Sequence, residues 1–239
     1  MRSSVRFIAP HRPCAYLREQ LSRMEYEVVL SMDPEEYLDR LRDGWRRFGR
    51  TLFRPRCRAC SACLPMRVVV PSFRPDRSMK RLRARNLDAV GLTIRGAAGL
   101  PDPEVLDLYD RYHREQARRR GWPEHEPDAP DEFRDSFLDN PIPTEEWRYR
   151  LDGRLIGVGY ADVLPGASSA IYFFYDHDAL DRSPGTWNIL CMIERAAAQA
   201  REHVYLGYLV EGCRSLSYKG RFSPNEVRGP EGRWIPFRG

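Results

Sequence analysis

The sequence predicts an α+β fold: a mixed sheet with flanking helices, preceded by a smaller cysteine-containing unit. Three observations carry that expectation. Helix-period and strand-period segments alternate from Glu104 onward. Four of the six cysteines, Cys14, Cys57, Cys60 and Cys63, crowd into the front of the chain. A stretch rich in glycine and proline, Gly91 to Pro103, lies between the two patterns. The expected units are therefore 1–95, cysteine-rich and basic, and 96–239, the sheet.

The elements follow in order. Asp33-Pro34-Glu35-Glu36 reads as a helix start, with an aspartate N-cap, proline at the first position and a capping-box glutamate. Tyr37, Leu38 and Leu41 share one face of that helix, and Gly44 ends it. Arg67 to Val70 is a β-branched run closed by Pro71, which suits a buried strand. Glu104 to Arg120 is a second helix, its basic end matching the C-terminal dipole. Trp122 to Pro130 is an irregular connector, and Phe133 to Leu138 a short helix. Trp147 to Leu151, an Asp152-Gly153 turn and Leu155 to Leu164 make a hairpin. Ala170 to Tyr175 is too continuously apolar for an exposed edge strand. Gly185 to Arg201 is a helix with Ile189, Leu190, Ile193, Ala197 and Ala200 toward the core; Cys191 packs one step away. His203 to Val210 is a strand, and Ser215 to Arg221 a short helix. The order resembles that of acyltransferases of the N-acetyltransferase type, a likeness of fold and not of substrate.

At 239 residues with 42% hydrophobic content the chain has ample length for a core. No apolar run approaches the roughly 18 residues that span a bilayer. Met1 to Pro10 is basic but no apolar segment follows, so it is no secretory signal. The expectation is a cytoplasmic protein without a membrane partner, its thiols reduced or metal-bound.

Charge is unevenly placed. Between Arg40 and Arg85 stand fifteen Lys or Arg against two acids, Asp43 and Asp76, although the whole chain is only +5. The basic set is 37 Arg to two Lys, Lys80 and Lys219; codon bias explains that ratio but not the clustering. The segment Arg74 to Arg85 holds Arg77, Lys80, Arg81 and Arg83 with one acid, where a solvated helix face would carry relieving acids at i+3 or i+4. Such a face could neutralise several phosphates.

Cys57-Arg-Ala-Cys60-Ser-Ala-Cys63 lets three thiolates converge from one turn of backbone, and four thiolates suit tetrahedral zinc or an iron–sulfur cluster. Cys14 is the candidate fourth ligand, with Cys191 and Cys213 as alternatives; reduced structural thiols are the bland reading. Gly185-Thr186 opens a helix just beyond a strand, where free backbone N–H groups suit an anion or a developing oxyanion. In the block Tyr205 to Phe222, core packing accounts for the leucines, Tyr205 and Phe222 but not for Lys219.

The pieces Cys14-Ala-Tyr-Leu17, Gly44-Trp-Arg-Arg47, Phe53-Arg-Pro55 with the cysteine run, and Pro65-Met-Arg-Val68 resemble the N-terminal half of aminoacyl-tRNA–protein transferases. Tyr172 to Tyr175, Arg182 to Thr186 and the Tyr205 to Phe222 block resemble their C-terminal half. The chain departs from the family's usual residues at Ala15, Pro184, and Ser215-Leu216. Its length resembles the bacterial branch, aspartate/glutamate leucyltransferases, whose longer relatives transfer arginine. The resemblance implies transfer of leucine from leucyl-tRNA to proteins beginning with Asp or Glu, marking them for the N-end rule pathway. It also favours an iron–sulfur cluster over zinc on Cys14, Cys57, Cys60 and Cys63.

In such a reaction an α-amino group attacks an ester that is already activated, so positioning supplies most of the rate. Candidate catalytic groups are Tyr175 and Asp176 at the end of the third strand, Tyr208 on the fourth, and the N–H groups of Gly185 and Thr186. Candidate substrate-binding residues are Arg77, Lys80, Arg81, Arg83, Tyr218, Lys219 and Arg221, divided between the tRNA and the acceptor's carboxylate. The rival readings are an arginyl donor, a non-enzymatic zinc-ribbon RNA-binding protein, and an acetyl-CoA-dependent acetyltransferase. The last lacks a glycine-rich pyrophosphate cradle before the Gly185 helix.

Overall fold

In the computed structural model, which describes residues 2–124, 127 and 130–238, the first strands are polar. β1 (Arg2–Ile8), β4 (Met24–Ser31), β5 (Arg46–Phe48) and β6 (Thr51–Pro55) form an antiparallel sheet in the order β1-β4-β6-β5; β2 (Arg12–Pro13) pairs with β3 (Leu21–Ser22). Buried acids on β4 are answered by arginines: Glu25 takes Arg6 at 2.6 Å and Arg54 at 2.7 Å, and Glu27 takes Arg40 at 3.0 Å. The same three guanidinium groups lie 4.6–5.6 Å from the ring centroid of Trp45. Behind them stands α1 (Pro34–Arg42), whose Glu36 carboxylate accepts the Asp33 N–H at 3.1 Å and whose Tyr37, Leu38 and Leu41 are buried, as the sequence predicts.

The large sheet begins inside the range assigned to the front unit. β7 (Leu64–Val69) continues as a single 3-10 turn, Val70–Ser72. Then come α2 (Arg77–Asn86), β8 (Val90–Gly96), α3 (Pro103–Arg120), α4 (Pro130–Phe137), β9 (Thr144–Leu151), β10 (Arg154–Leu164) and β11 (Ala167–Tyr175). A 3-10 segment His177–Arg182 leads into α5 (Pro184–Ala198), followed by β12 (His203–Leu209), α6 (Arg214–Ser217), a 3-10 turn Tyr218–Arg221, β13 (Asn225–Arg228) and β14 (Trp234–Pro236). The strand order is β14-β13-β7-β12-β11-β10-β9-β8.

That order corrects the expected organisation. β7 and all of β8 but its last residue precede residue 96, yet β7 pairs with β12 and β13, and β8 pairs with β9. A division at residues 95 and 96 thus cuts through one sheet. Gly91 and Gly96 sit on the edge strand β8, and of the three glycines in that stretch Gly99 alone lies in the irregular segment before α3. Gly153 and Asp152 both hold positive φ, the two-residue turn expected between β9 and β10. Of the connector expected over Trp122 to Pro130, residues 125, 126, 128 and 129 lie outside the described residues.

Helices cover both faces. Met79 and Leu82 of α2 join Leu190 and Ile193 of α5 over Val68 and Tyr149 on one side. Val105, Tyr109 and Tyr112 of α3 join Phe133 and Phe137 of α4 over Tyr160 and Phe174 on the other. α5 buries Ala196 in place of the expected Ala197 and Ala200, because it ends at Ala198 and Ala200 turns out with φ 53°. Among the described residues no helix is long and apolar enough to cross a membrane.

Candidate active site

Two strands part in the middle of the sheet. β11 and β12 run parallel with partners Ala167–His203, Ser168–Val204 and Ser169–Tyr205, and no pairing extends past Ser169. β12 shifts register against β7 between Tyr205 and Gly207, where Gly207 has φ 82°. Arg46 of β5 fills the apex of the parting. Its Nη1 donates to Ser169 Oγ at 2.9 Å, and its Nη2 donates to the Ala170 carbonyl that β12 has left unpaired. A Cβ at position 207 would stand 3.4 Å from Arg46 Nε, so glycine is needed for both the dihedral and the approach.

Lys219 reaches the same parting from the 3-10 turn, its Nζ donating to the Tyr208 carbonyl at 3.2 Å. Burial, and then the charge of Arg46, bring its ammonium down to about 7; Cys213 acts in the opposite direction. Neither Arg46, which is 7% exposed, nor Lys219 has a carboxylate partner among the described residues. Elsewhere a fully buried arginine has one, Arg47 with Asp162. A buried guanidinium and a half-buried amine without a counter-charge among the described residues make a place where an anion is stabilised.

The neighbouring wall is the start of α5. Ser183 at φ 47° and Pro184 set the helix off, and the site of a Cβ on Gly185 is 3.8 Å from Tyr218 Oη. The turn Tyr218–Arg221 therefore spans the mouth, with Tyr218 toward the α5 terminus and Lys219 toward β12. Gly185, Thr186, Tyr175 and Tyr218 are brought to this end of the sheet. Burial, and then the charge of Tyr175, push the Tyr218 hydroxyl up to about 12.

Two expected catalytic side chains have other partners. Asp176 is buried, accepts the Asp178 N–H at 2.9 Å, and pairs with Arg111 at 2.9 Å and Arg154 at 3.3 Å. Burial raises its pKa, but the bonds from Arg111 and the Asp178 N–H outweigh that and hold the carboxyl below the usual range. Tyr208 donates its hydroxyl to the Gly44 carbonyl at 2.9 Å, latching β12 to the turn after α1.

α2 presents the basic segment as a helix capped by Asp76, which accepts the Met79 N–H at 2.8 Å. Arg77, Lys80 and Arg81 are exposed and have no acid partner among the described residues, whereas Arg83 pairs with Glu194 at 2.7 Å. Arg221 donates to Ser78 Oγ at 2.7 Å, which ties this face to the turn carrying Lys219.

Cys14, Cys57, Cys60 and Cys63 line one cavity of about 1240 Å³ together with Tyr16 and Tyr208. Burial, then the charges of Cys14, Cys57, Cys60 and Cys213, push the Cys63 thiol up to about 12. A bound cation would relieve that repulsion, so the donors suit a thiophilic ion in kind. Their positions do not close a coordination shell: among the described residues no three Cys, His, Asp or Glu side chains are placed to hold an ion.

The family models described as arginine-tRNA-protein transferase, N terminus and C terminus, match residues 12–81 and 104–229. The chain belongs to this family. A curated relative named aspartate/glutamate leucyltransferase, from Pseudomonas fluorescens strain SBW25, is 38% identical over 228 residues, 95% of this chain and 93% of that one. One of the same name from Helicobacter hepaticus is 33% identical over 230 residues, 93% and 91% of the two chains. Among solved structures, FemX aligns with 78% of this chain and 75% of its own at 10% identity and TM-score 0.44. The C-terminal domain of a putative lysylphosphatidylglycerol synthetase from Agrobacterium fabrum aligns with 73% and 62% at 13% and 0.49. This transferase is thus an enzyme of the aminoacyltransferase class, as the sequence blocks imply.

Within the transferase, sequence reasoning missed Arg46. The available signal was Gly44-Trp-Arg-Arg47, which carried the family resemblance but no chemistry, because nothing local shows that β5 sends a side chain into another sheet. It also missed Tyr112 and His177, which meet Tyr175 only through the fold.

Proposed function

We propose that this transferase moves leucine from leucyl-tRNA to the α-amino group of proteins that begin with Asp or Glu. The names of its relatives support the donor and the acceptor. The observation that carries the reading is the pair Arg46 and Lys219 beside the parted strands, neither with an acid partner among the described residues. An acceptor's side-chain carboxylate supplies the missing charge, and binding it draws Lys219 into its ammonium form. The parting of β11 and β12 also supports assigning the large sheet to the N-acetyltransferase type, with the acyl group held in the gap. The basic face of α2 takes tRNA phosphates, with Arg77, Lys80 and Arg81 as contacts.

The acceptor's α-amino group, with a pKa of about 7.7–8.0, is partly neutral near pH 7. It attacks the ester carbonyl; the C–N bond forms, the ester C–O bond breaks, and the amine's proton passes to the departing ribose oxygen. The N–H groups of Gly185 and Thr186 face the oxyanion, and the hydroxyls of Tyr175 and Tyr218 border it. Asp176 and the Tyr208 hydroxyl hold the surrounding strands in place. We assign the protein to the cytoplasm, where aminoacyl-tRNA is found. Cys14, Cys57, Cys60 and Cys63 are the proposed ligands of an iron–sulfur cluster or zinc. Their shared cavity supports this, and anaerobic iron, sulfide and zinc analysis tests it; no step of transfer runs through that centre.

The test supplies labelled aminoacyl-tRNAs singly with peptides differing only at the first residue. Transfer of leucine to Asp and Glu peptides, and not to their Asn and Gln counterparts, is expected. Transfer of arginine instead assigns the other donor, and tRNA binding without any transfer overturns the reading.

A further inference from the structure

We propose that Tyr175, His177 and Tyr112, with Arg120 beside them, form a stacking platform for the terminal nucleobase of the donor tRNA. This rests on reading the chain as a transferase that uses aminoacyl-tRNA. The three rings come from three elements. Tyr112 lies on α3, while Tyr175 ends β11 and His177 opens the segment after it. Their centroids are 5.1 Å apart for Tyr112 and Tyr175, 5.2 Å for Tyr175 and His177, and 5.6 Å for Tyr112 and His177, the last pair stacked at 28°.

Core packing explains Tyr112, which is 7% exposed and belongs to the apolar cluster under α3. Tyr175 packs against the rim of the same cluster but, like His177, is left half-exposed where β11 leaves the sheet. Core packing does not explain the cation beside them. Arg120 is exposed and its charge acts on Tyr112 and His177; it has no acid partner among the described residues. The nearby Glu115 is already taken by Arg118 at 2.8 Å and Arg119 at 2.6 Å. Burial, and then the charge of Arg119, bring the His177 imidazole below its ordinary value, with Glu115 acting against them. Aromatic faces with an arginine alongside are how proteins hold unpaired bases, whose π-faces stack whatever their sequence.

Placement selects which base. The reacting ester sits on the ribose of the last nucleotide, so that base lies within one nucleotide's reach of the acyl carbon. Tyr175 acts electrostatically on Tyr218, whose hydroxyl stands beside Gly185 at the start of α5. The platform therefore adjoins the proposed oxyanion site, whereas the basic face of α2 serves the phosphates further along the acceptor stem.

The experiment compares two acceptor-stem RNA duplexes, identical except that one lacks the 3′-terminal adenosine, binding to the full-length protein at fixed salt. The wild type is expected to bind the complete duplex ~10-fold more tightly, the scale of one base–aromatic stack. Tyr175→Ala and His177→Ala should bring that ratio close to one while their thermal melts stay cooperative. Tyr175→Phe, which keeps the ring, should retain it, and Lys80→Ala should weaken both duplexes equally. Alanine variants that keep the wild-type ratio overturn the platform. So does a wild type that transfers leucine yet binds the two duplexes alike, and in that case the transferase reading stands. A wild type that transfers from no aminoacyl-tRNA overturns both.

Discussion

Arg47 is fully buried, and every arm of its guanidinium is engaged: Nε and Nη2 with Asp162, Nη1 with Gly49 O and Asn140 Oδ1 at 2.8 Å, and Nη2 with Thr144 Oγ1 at 2.7 Å. Arg47→Met leaves a carboxylate buried without its counter-charge, so a loss of about 3–5 kcal/mol is expected in denaturant unfolding. Adding Asp162→Leu should recover most of it; equal losses for the single and double variants would show that the charge pair is not the cause. Lys219 obeys the opposite sign. Its amine is held near 7 in the folded chain, well below its unfolded value, so unfolding takes up a proton between the two. Stability therefore rises with pH across that window, and the cost of the buried ammonium is fully felt at and below pH 7. Lys219→Met should raise the Tm at pH 7 while reducing discrimination between Asp and Asn acceptors. Its thermal advantage should fade as pH approaches about 10. A variant that is less stable at pH 7 would mean that Lys219 is a structural tie and not an unfilled anion site.

At the scale of elements, α2 shows what its neighbours permit. Met79, Leu82 and Asn86 bury one side of the helix, which leaves Arg77, Lys80 and Arg81 facing outward. Replacing Lys80 and Arg81 with alanine should weaken tRNA binding and flatten log K against log salt by ~0.9 for each phosphate left without its cation. An unchanged slope removes α2 from the tRNA site. α1, α3 and the β9–β10 hairpin were legible because caps, helical period and an Asp-Gly turn are local signals. The small sheet was not. β4 reads Met-Glu-Tyr-Glu-Val-Val-Leu-Ser and β5 Arg-Arg-Phe, patterns that a hydropathy rule assigns to the surface. Glu25, Glu27 and Arg47 are nonetheless buried because their charges are met by partners up to 115 residues away in sequence, while Arg46 is buried on neutral acceptors, Ser169 Oγ and the Ala170 carbonyl. The basic clustering that suggested nucleic acid is thus partly internal wiring: Arg40, Arg47 and Arg54 answer buried acids, and the exposed residues of α2 keep the phosphate role. The candidate site divides the same way. Gly185 could be read from the Arg182–Thr186 block and Tyr218 and Lys219 from the Tyr205–Phe222 block, while Arg46 enters that site only because two sheets dock.

The whole molecule is organised by that docking. β5 sends Arg46 to β11 and Arg47 to β10, and Tyr208 on β12 returns a hydrogen bond to Gly44, so the small sheet is fastened to the strands that form the site. Leu52 on β6 and Trp45, between α1 and β5, share an apolar cluster with Leu164, Ala167 and Tyr205 of the large sheet. β7 sits between β13 and β12 in the interior of the large sheet. A fragment of residues 96–239 would therefore lose β7, strip β12 of its partner over His203 to Leu209, detach the β13–β14 pair, and expose an apolar cluster. An interior strand with one side open invites pairing with other chains. The full chain should melt in one cooperative transition, whereas the fragment alone should aggregate or melt without cooperativity. Supplying residues 1–95 in trans should restore a cooperative melt and leucyl transfer together, since β7 and Arg46 both return with that piece. A cooperative melt of the fragment by itself would show that the sheet's second half is sufficient, and that the front of the chain serves binding alone.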